Sequence, residues 1–225
     1  MYLKCNMIFN DIDNIFNKIG TTNKFCVEFG VHSGMTDNTS QLIQYCQWHG
    51  MYIERDEERY NKIIANCAGL PVTVIKSFVT VENINDIFSQ GGVPHEFDFL
   101  SIDVDGMDYW LWKALTYKPR IVVIEYNGLK VPPQLAVQEY NPDNVWNGTR
   151  WFGASLQSLV NLGKEKGYEL FKCDTQGSNA FFIIKEEFNK LEISDNNIEK
   201  IFVHANYGIE ADGGHSYPDG IYLEI

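Results

Sequence analysis

An alternation constrains this chain more than any other feature. Five short apolar runs, rich in β-branched and aromatic residues, are separated by stretches with helical patterning. Apolar runs joined by helical crossovers make a parallel sheet with helices over both faces. Residues 24–29, 51–54, 71–75, 97–103 and 120–125 read as strands. Helices are predicted over 8–19, after Asp37, and over 57–67, 81–88, 109–115 and 154–166. Gly20 ends the first of these, and Asp37 is placed to cap the second, which carries Leu42, Ile43 and Cys46 on one face. Residues 168–173 and 179–184 flank Thr175-Gln176-Gly177-Ser178, a turn sequence, so they form an antiparallel hairpin. The expected fold is α/β: a seven-stranded, mostly parallel sheet with a C-terminal antiparallel hairpin. Its core spans about residues 24–184 of one domain over 1–225. The N-terminal helix and a C-terminal tail are appended.

Composition removes several function classes. The net charge of −12 disfavours broad binding to nucleic acid, which needs clustered Lys and Arg. No apolar run approaches the roughly 20 residues of a membrane span. The N-terminal residues lack a basic region followed by an apolar stretch, so no secretory signal is read and a cytoplasmic location is expected. The five cysteines are scattered, without metal or redox spacing, and read as free thiols. His49, His95, His204 and His215 show no ligand spacing and read as structural.

The first strand runs into Glu28-Phe29-Gly30-Val31-His32-Ser33-Gly34. Gly30 and Gly34 let the backbone turn tightly and come close to a ligand. Their spacing is not that of the dinucleotide fingerprint. An acid before the first glycine suits a cationic aminoacyl group better than a pyrophosphate. Glu54 ends the second strand, about 20 residues beyond the glycine loop, where a carboxylate accepts hydrogen bonds from ribose hydroxyls.

With Tyr52-Ile53-Glu54, Asp98-Phe99-Leu100-Ser101-Ile102-Asp103-Val104-Asp105-Gly106 and Val123-Ile124-Glu125-Tyr126-Asn127, the chain resembles class I S-adenosylmethionine-dependent methyltransferases. Within them it is similar to the FkbM-like small-molecule and sugar O-methyltransferases, over roughly residues 24–184. The resemblance implies a Rossmann-like fold with S-adenosylmethionine as cofactor. It places Glu28, Gly30 and Gly34 at the methionine end and Glu54 on the ribose. His32 and Ser33 then either face the cofactor carboxylate or form a solvated turn, Phe78 lies where adenine is held, and Asp103 adjoins the cofactor.

Asp103, Asp105 and Asp108 follow the fourth strand, and Glu125 and Asn127 follow the fifth. Three roles compete for these groups. They can hold a divalent cation such as Mg2+, one of them can act as general base, or they can stabilise turns. The arrangement is similar to that of catechol O-methyltransferases, with Asp103 and Asn127 in two of the metal-ligand positions. Tyr126 takes the third, with Glu125 one residue earlier. Asp103, Glu125 and Asn127 are the candidate metal ligands. Asp103, Asp105, Glu125 and Asn127 are the candidate catalytic residues.

Residues 126–151 form a long loop whose Trp146, Asn147, Arg150 and Trp151, with Phe152 directly after it, suit a lid over a sugar-like acceptor. The same residues also suit a loop packed by its own side chains. The tail from Leu191 onward packs on the domain or on a second subunit, which would make a homodimer. The expected function is O-methylation of a small hydroxylated acceptor, a sugar or nucleotide-sugar. Its rivals are a nucleotide- or NAD-binding Rossmann enzyme, a non-catalytic module of the same fold, and, against the charge balance, an RNA methyltransferase.

Overall fold

A computed structural model describes residues 2–206 and 219–225, with residues 2–7 considered as backbone only. The chain divides into two units, Met1–Ile102 with Ala114–Val122, and Asp103–Lys113 with Val123–Ile225. The strands are β1 Phe25–Phe29, β2 His49–Glu54, β3 Val72–Lys76, β4 Glu96–Ile102, β5 Lys118–Glu125, β6 Val137–Gln138, β7 Tyr168–Cys173, β8 Asn179–Ile184 and β9 Tyr222–Leu223. Seven of them form one sheet in the order β3-β2-β1-β4-β5-β8-β7, and β6 with β9 forms a second, two-stranded sheet. The α/β reading, mostly parallel with an antiparallel hairpin of β7 and β8, is borne out.

The first unit holds α1 Tyr2–Ile19, α2 Ser40–Tyr45, α3 Glu57–Asn66 and α4 Ile84–Gln90. β1 pairs in parallel with β2 on one side and β4 on the other. Burial follows strand position. Cys26, Val27 and Phe29 of β1 and Phe97, Phe99, Leu100 and Ile102 of β4 are buried, whereas no residue of the edge strand β3 is. Each fully buried large side chain contributes about 1.5–3 kcal/mol.

The start of β1 is tied down by charge. Asp98 accepts hydrogen bonds from the backbone N–H groups of Thr22, Asn23 and Lys24 and from the Thr22 hydroxyl. Arg120 donates to Asp98 at 2.8 Å and, through the same guanidinium, to the carbonyls of Gly20 and Ile19. This single ion pair therefore joins the end of α1, the entry to β1, and β4 and β5. Burial works against the Asp98 charge, but Arg120, Thr22 and the Lys24 N–H together hold its carboxyl below the usual range.

The second unit holds α5 Asp108–Ala114, apart from its last residue, and α6 Leu156–Lys166, with short helices α7 Lys185–Phe188 and α8 Ile198–Ile201. Ser155 caps α6 by accepting from Ser158 N, and Gly167 closes it in the left-handed conformation. Trp112 is fully buried, packed 4.9 Å from Phe182 and 5.6 Å from Tyr168.

Two local expectations are corrected. Asp37 does not cap α2: the cap position is Thr39, and the Asp37 carboxylate folds the preceding loop instead. The helix expected over 81–88 lies at Ile84–Gln90, because Thr80 to Asn83 form a turn that Asn83 holds by accepting from Thr80 N. Among the described residues, Cys26, Cys46, Cys67 and Cys173 are free thiols, and no helix is long and apolar enough to cross a membrane. His215 lies outside the described residues.

Candidate functional site

The glycine loop of the first unit is built around two carboxylates. The Asp37 side chain accepts from His32 N at 2.7 Å and Ser33 N at 3.2 Å, with the Ser33 hydroxyl 3.3 Å away. Glu28 is buried and accepts from Asn38 N at 2.8 Å, Thr39 N at 2.9 Å and the Thr39 hydroxyl at 2.6 Å. Gly30 and Gly34 both adopt positive φ, 69° and 73°, which side chains other than glycine rarely reach. A Cβ at Gly34 would also lie 2.4 Å from the Cys67 sulfur, so this turn has no room for one.

This geometry alters what Glu28 does. The sequence places its carboxylate at the methionine end of a cofactor. In the structure it points into the protein and staples the loop from beneath. Burial, and then the charge of Asp37, push its carboxyl up to about 8, while the bonds from Thr39 and Asn38 pull it down. His32 is exposed, with Nδ1 3.2 Å from Gly30 O, and Ser33 is half-buried.

Glu54 lies at the carboxyl end of β2, beside β1. Its Oε1 accepts from Asp56 N at 2.7 Å, and Oε2 takes no hydrogen bond among the described residues. Phe78, in the segment after β3, is 38% exposed. The Arg55 guanidinium lies 5.3 Å from its ring centroid. Sequence reasoning missed Arg55; only its place next to Glu54 hinted at a role.

The second unit carries the acids. Asp103 and Asp105 are exposed and Glu125 is half-buried; one carboxylate oxygen of each lies within 4.8 Å of the others. Asp105 has φ 54°, which turns the chain sharply after β4. Asp108 supports this turn from below, accepting from Val104 N and Gly106 N, both at 3.0 Å. Burial, and then Asp103, push the Asp108 carboxyl up to about 7. From the other side, Asn144 donates to Asp105 O at 3.3 Å and accepts from Gln138 Nε2 at 3.2 Å.

The Asn127 amide is engaged in the loop after β5. It is fully buried, and its Nδ2 donates to the carbonyls of Arg150 and Phe152, each at 3.0 Å, and to the Tyr222 hydroxyl. Its Oδ1 accepts from Leu129 N at 3.1 Å. The amide is thus used to hold the long loop. Asp105, one of the acids read from sequence as a cation ligand, a base or a turn residue, lies with Asp103 and Glu125. Within the loop, Trp146 donates to Thr149 O and packs edge-on against Phe152, so part of the loop is packed by its own side chains.

No protein-family model matches the chain, and no curated protein matches it in sequence. Solved structures do. A proposed caffeoyl-CoA O-methyltransferase from Staphylococcus aureus is similar with a TM-score of 0.53 at 14% identity, over 79% of this chain and 83% of that one. The N-terminal domain of EvdMO1, solved in the presence of SAH and D-fucose, gives a TM-score of 0.49 at 14% identity, over 78% and 80%. A SAM-dependent methyltransferase from Aquifex aeolicus gives 0.45 at 12%, over 79% and 92%. The chain has a Rossmann-like methyltransferase fold. In this methyltransferase fold the strand-end positions predicted for the site are occupied as follows: Glu28, Gly30 and Gly34 at the end of β1, Glu54 at the end of β2, Asp103 just after β4 and Glu125 closing β5.

Proposed function

We propose that the protein is an S-adenosylmethionine-dependent O-methyltransferase acting on a small hydroxylated acceptor of sugar-like chemistry. One observation carries the reading: the glycine turn after β1 lies one strand over from Glu54, whose Oε2 takes no hydrogen bond among the described residues. Half-buried Gly30, at positive φ, turns the chain directly after β1, buried Gly34 packs the turn against Cys67, and Glu54 Oε2 suits a ribose hydroxyl. The exposed ring of Phe78 offers a face on which a purine can stack. His32 and Ser33 supply the outer edge of the loop. These residues fit the nucleoside and aminoacyl parts of S-adenosylmethionine, which when bound supplies an activated methyl group. The protein's part is to place the acceptor oxygen in line and to take its proton.

Asp103, Asp105 and Glu125 are the groups we assign to that proton. Their carboxylate oxygens lie close enough together for one to take the proton or for all three to hold a cation. The distances favour a second version, in which they hold a divalent cation such as Mg2+. Oxygens bound to one ion at ~2.0–2.6 Å lie no more than about 4–5 Å apart, and these three lie within 4.8 Å.

Calorimetry with S-adenosylhomocysteine and NAD tests the cofactor. S-adenosylhomocysteine is expected to bind and NAD is not; the reverse result ends the methyltransferase reading. Asp103→Ala should abolish transfer to a panel of sugars and nucleotide-sugars while S-adenosylhomocysteine still binds. If EDTA leaves the wild-type rate unchanged and Mg2+ does not raise it, the carboxylates act without a metal.

A further inference from the structure

The C-terminal segment Asp219–Ile225 has no part in the function proposed above, yet most of its polar contacts are made to the long loop after β5. Tyr222 donates its hydroxyl to Arg150 O at 2.7 Å and accepts from Phe152 N at 3.1 Å and from Asn127 Nδ2 at 3.2 Å. The two bonds from Asn127 to the carbonyls of Arg150 and Phe152 complete the set. Two side chains far apart in sequence thus bind the backbone polar atoms around Trp151. Trp151 itself donates its indole N–H to Ile221 O at 3.0 Å, and its ring packs on Gly220, where a Cβ would come within 2.3 Å. The segment is anchored three more times. Asp219 pairs with the buried Lys130 ammonium, which also lies 4.3 Å from the Tyr222 ring centroid; β9 pairs with β6; and Ser158 donates to Ile225 O.

A loop whose conformation is dictated by contacts of this kind presents Arg150 and Trp151 in one arrangement. A polar cation and an indole ring are the pair that a hydroxylated ring with one apolar face would meet. Tyr222 makes no hydrogen bond to Asp103, Asp105 or Glu125, so its influence is on binding rather than on proton removal. We infer that the segment Asp219–Ile225 forms part of the acceptor site, and that Tyr222 is a positioning residue that sets acceptor affinity by fixing the backbone of residues 150–152. The inference rests on the reading that the loop after β5 receives the acceptor.

The test uses the full chain and a panel of p-nitrophenyl glycosides, whose nitrophenyl group quenches tryptophan emission. A glycoside that binds the wild type should bind Tyr222→Phe at least about tenfold more weakly, a loss typical of removing a hydroxyl that satisfies buried groups. S-adenosylhomocysteine affinity should stay within about twofold, since the glycine loop is untouched. Asp219→Asn, which weakens the second anchor and keeps Tyr222, should weaken glycoside binding in the same direction, and it decides the matter if Tyr222→Phe does not fold. Equal glycoside affinity in wild type and variants overturns the role of Tyr222 and leaves the methyltransferase reading standing. Parallel loss of S-adenosylhomocysteine binding makes Tyr222 a general structural residue and also overturns the inference. A wild type that binds S-adenosylhomocysteine and none of the glycosides overturns the sugar-like acceptor, and the inference with it.

Discussion

Glu28 shows how burial changes the meaning of a residue type. Its carboxyl is raised from 4.5 to about 8, so between those pH values the folded chain keeps a proton that the unfolded chain has released. Stability from this group is fully present below about pH 4.5 and is lost as pH rises through the window. The size of the effect is on the order of a few kcal/mol. Urea unfolding at pH 5 and pH 8.5 measures it. The wild type should lose stability across this interval, and Glu28→Gln should flatten the slope. An unchanged slope would place the titration elsewhere. Glu54 carries a different expectation. Glu54→Ala should lower S-adenosylhomocysteine affinity by roughly tenfold or more, the loss of one or two charge-assisted hydrogen bonds. Its melting temperature should stay near that of the wild type, because the bond lost from Asp56 N is local.

Among the elements, the ends of strands matter more than their middles. The Asp98–Arg120 pair collects α1, β1, β4 and β5 at their entry side, opposite the glycine loop. Removing one partner leaves the other buried and uncompensated, which costs about 3–5 kcal/mol. Asp98→Asn should therefore be strongly destabilised at pH 7. The folded-state carboxyl is lowered, so its contribution is present above the ordinary carboxylate range and disappears as pH falls through it. The gap between wild type and Asp98→Asn in chemical denaturation should accordingly narrow toward pH 3, and a gap independent of pH would show that shape, not charge, is what the site needs. The connection from β5 to α6 shows another element-level device. It contains β6, and Gln138 of that strand accepts from Gly153 N and donates to Asn144, which reaches Asp105 O. A loop that looked structureless in sequence is thereby hydrogen-bonded to the turn that bears the acids.

For the whole molecule, a ligand that binds only the folded chain stabilises it by mass action. S-adenosylhomocysteine at a hundred times its dissociation constant should add about 2.7 kcal/mol. Thermal melts with S-adenosylhomocysteine, NAD and buffer alone give the check, with a rise expected for the first and none for the second. The α/β class, a mostly parallel seven-stranded sheet with a C-terminal antiparallel hairpin, was legible beforehand, because alternating apolar runs and helical stretches have few ways to bury both; the strand order β3-β2-β1-β4-β5-β8-β7 was not. The glycine loop and Glu54 were legible too, since turn glycines and strand-end acids mark themselves by residue type and spacing. Other features carried no such mark. Nothing in the sequence says that Glu28 faces inward, that the Asn127 amide is used to hold the carbonyls of Arg150 and Phe152, or that Tyr222 returns to bind Arg150 O, 72 residues away. Local propensity and periodicity set which segments become strands and helices, and so determined the fold. Which way a carboxylate points, and which distant backbone atom a hydroxyl meets, depends on desolvation and hydrogen-bond satisfaction among groups remote in sequence, and only the tertiary structure decided those.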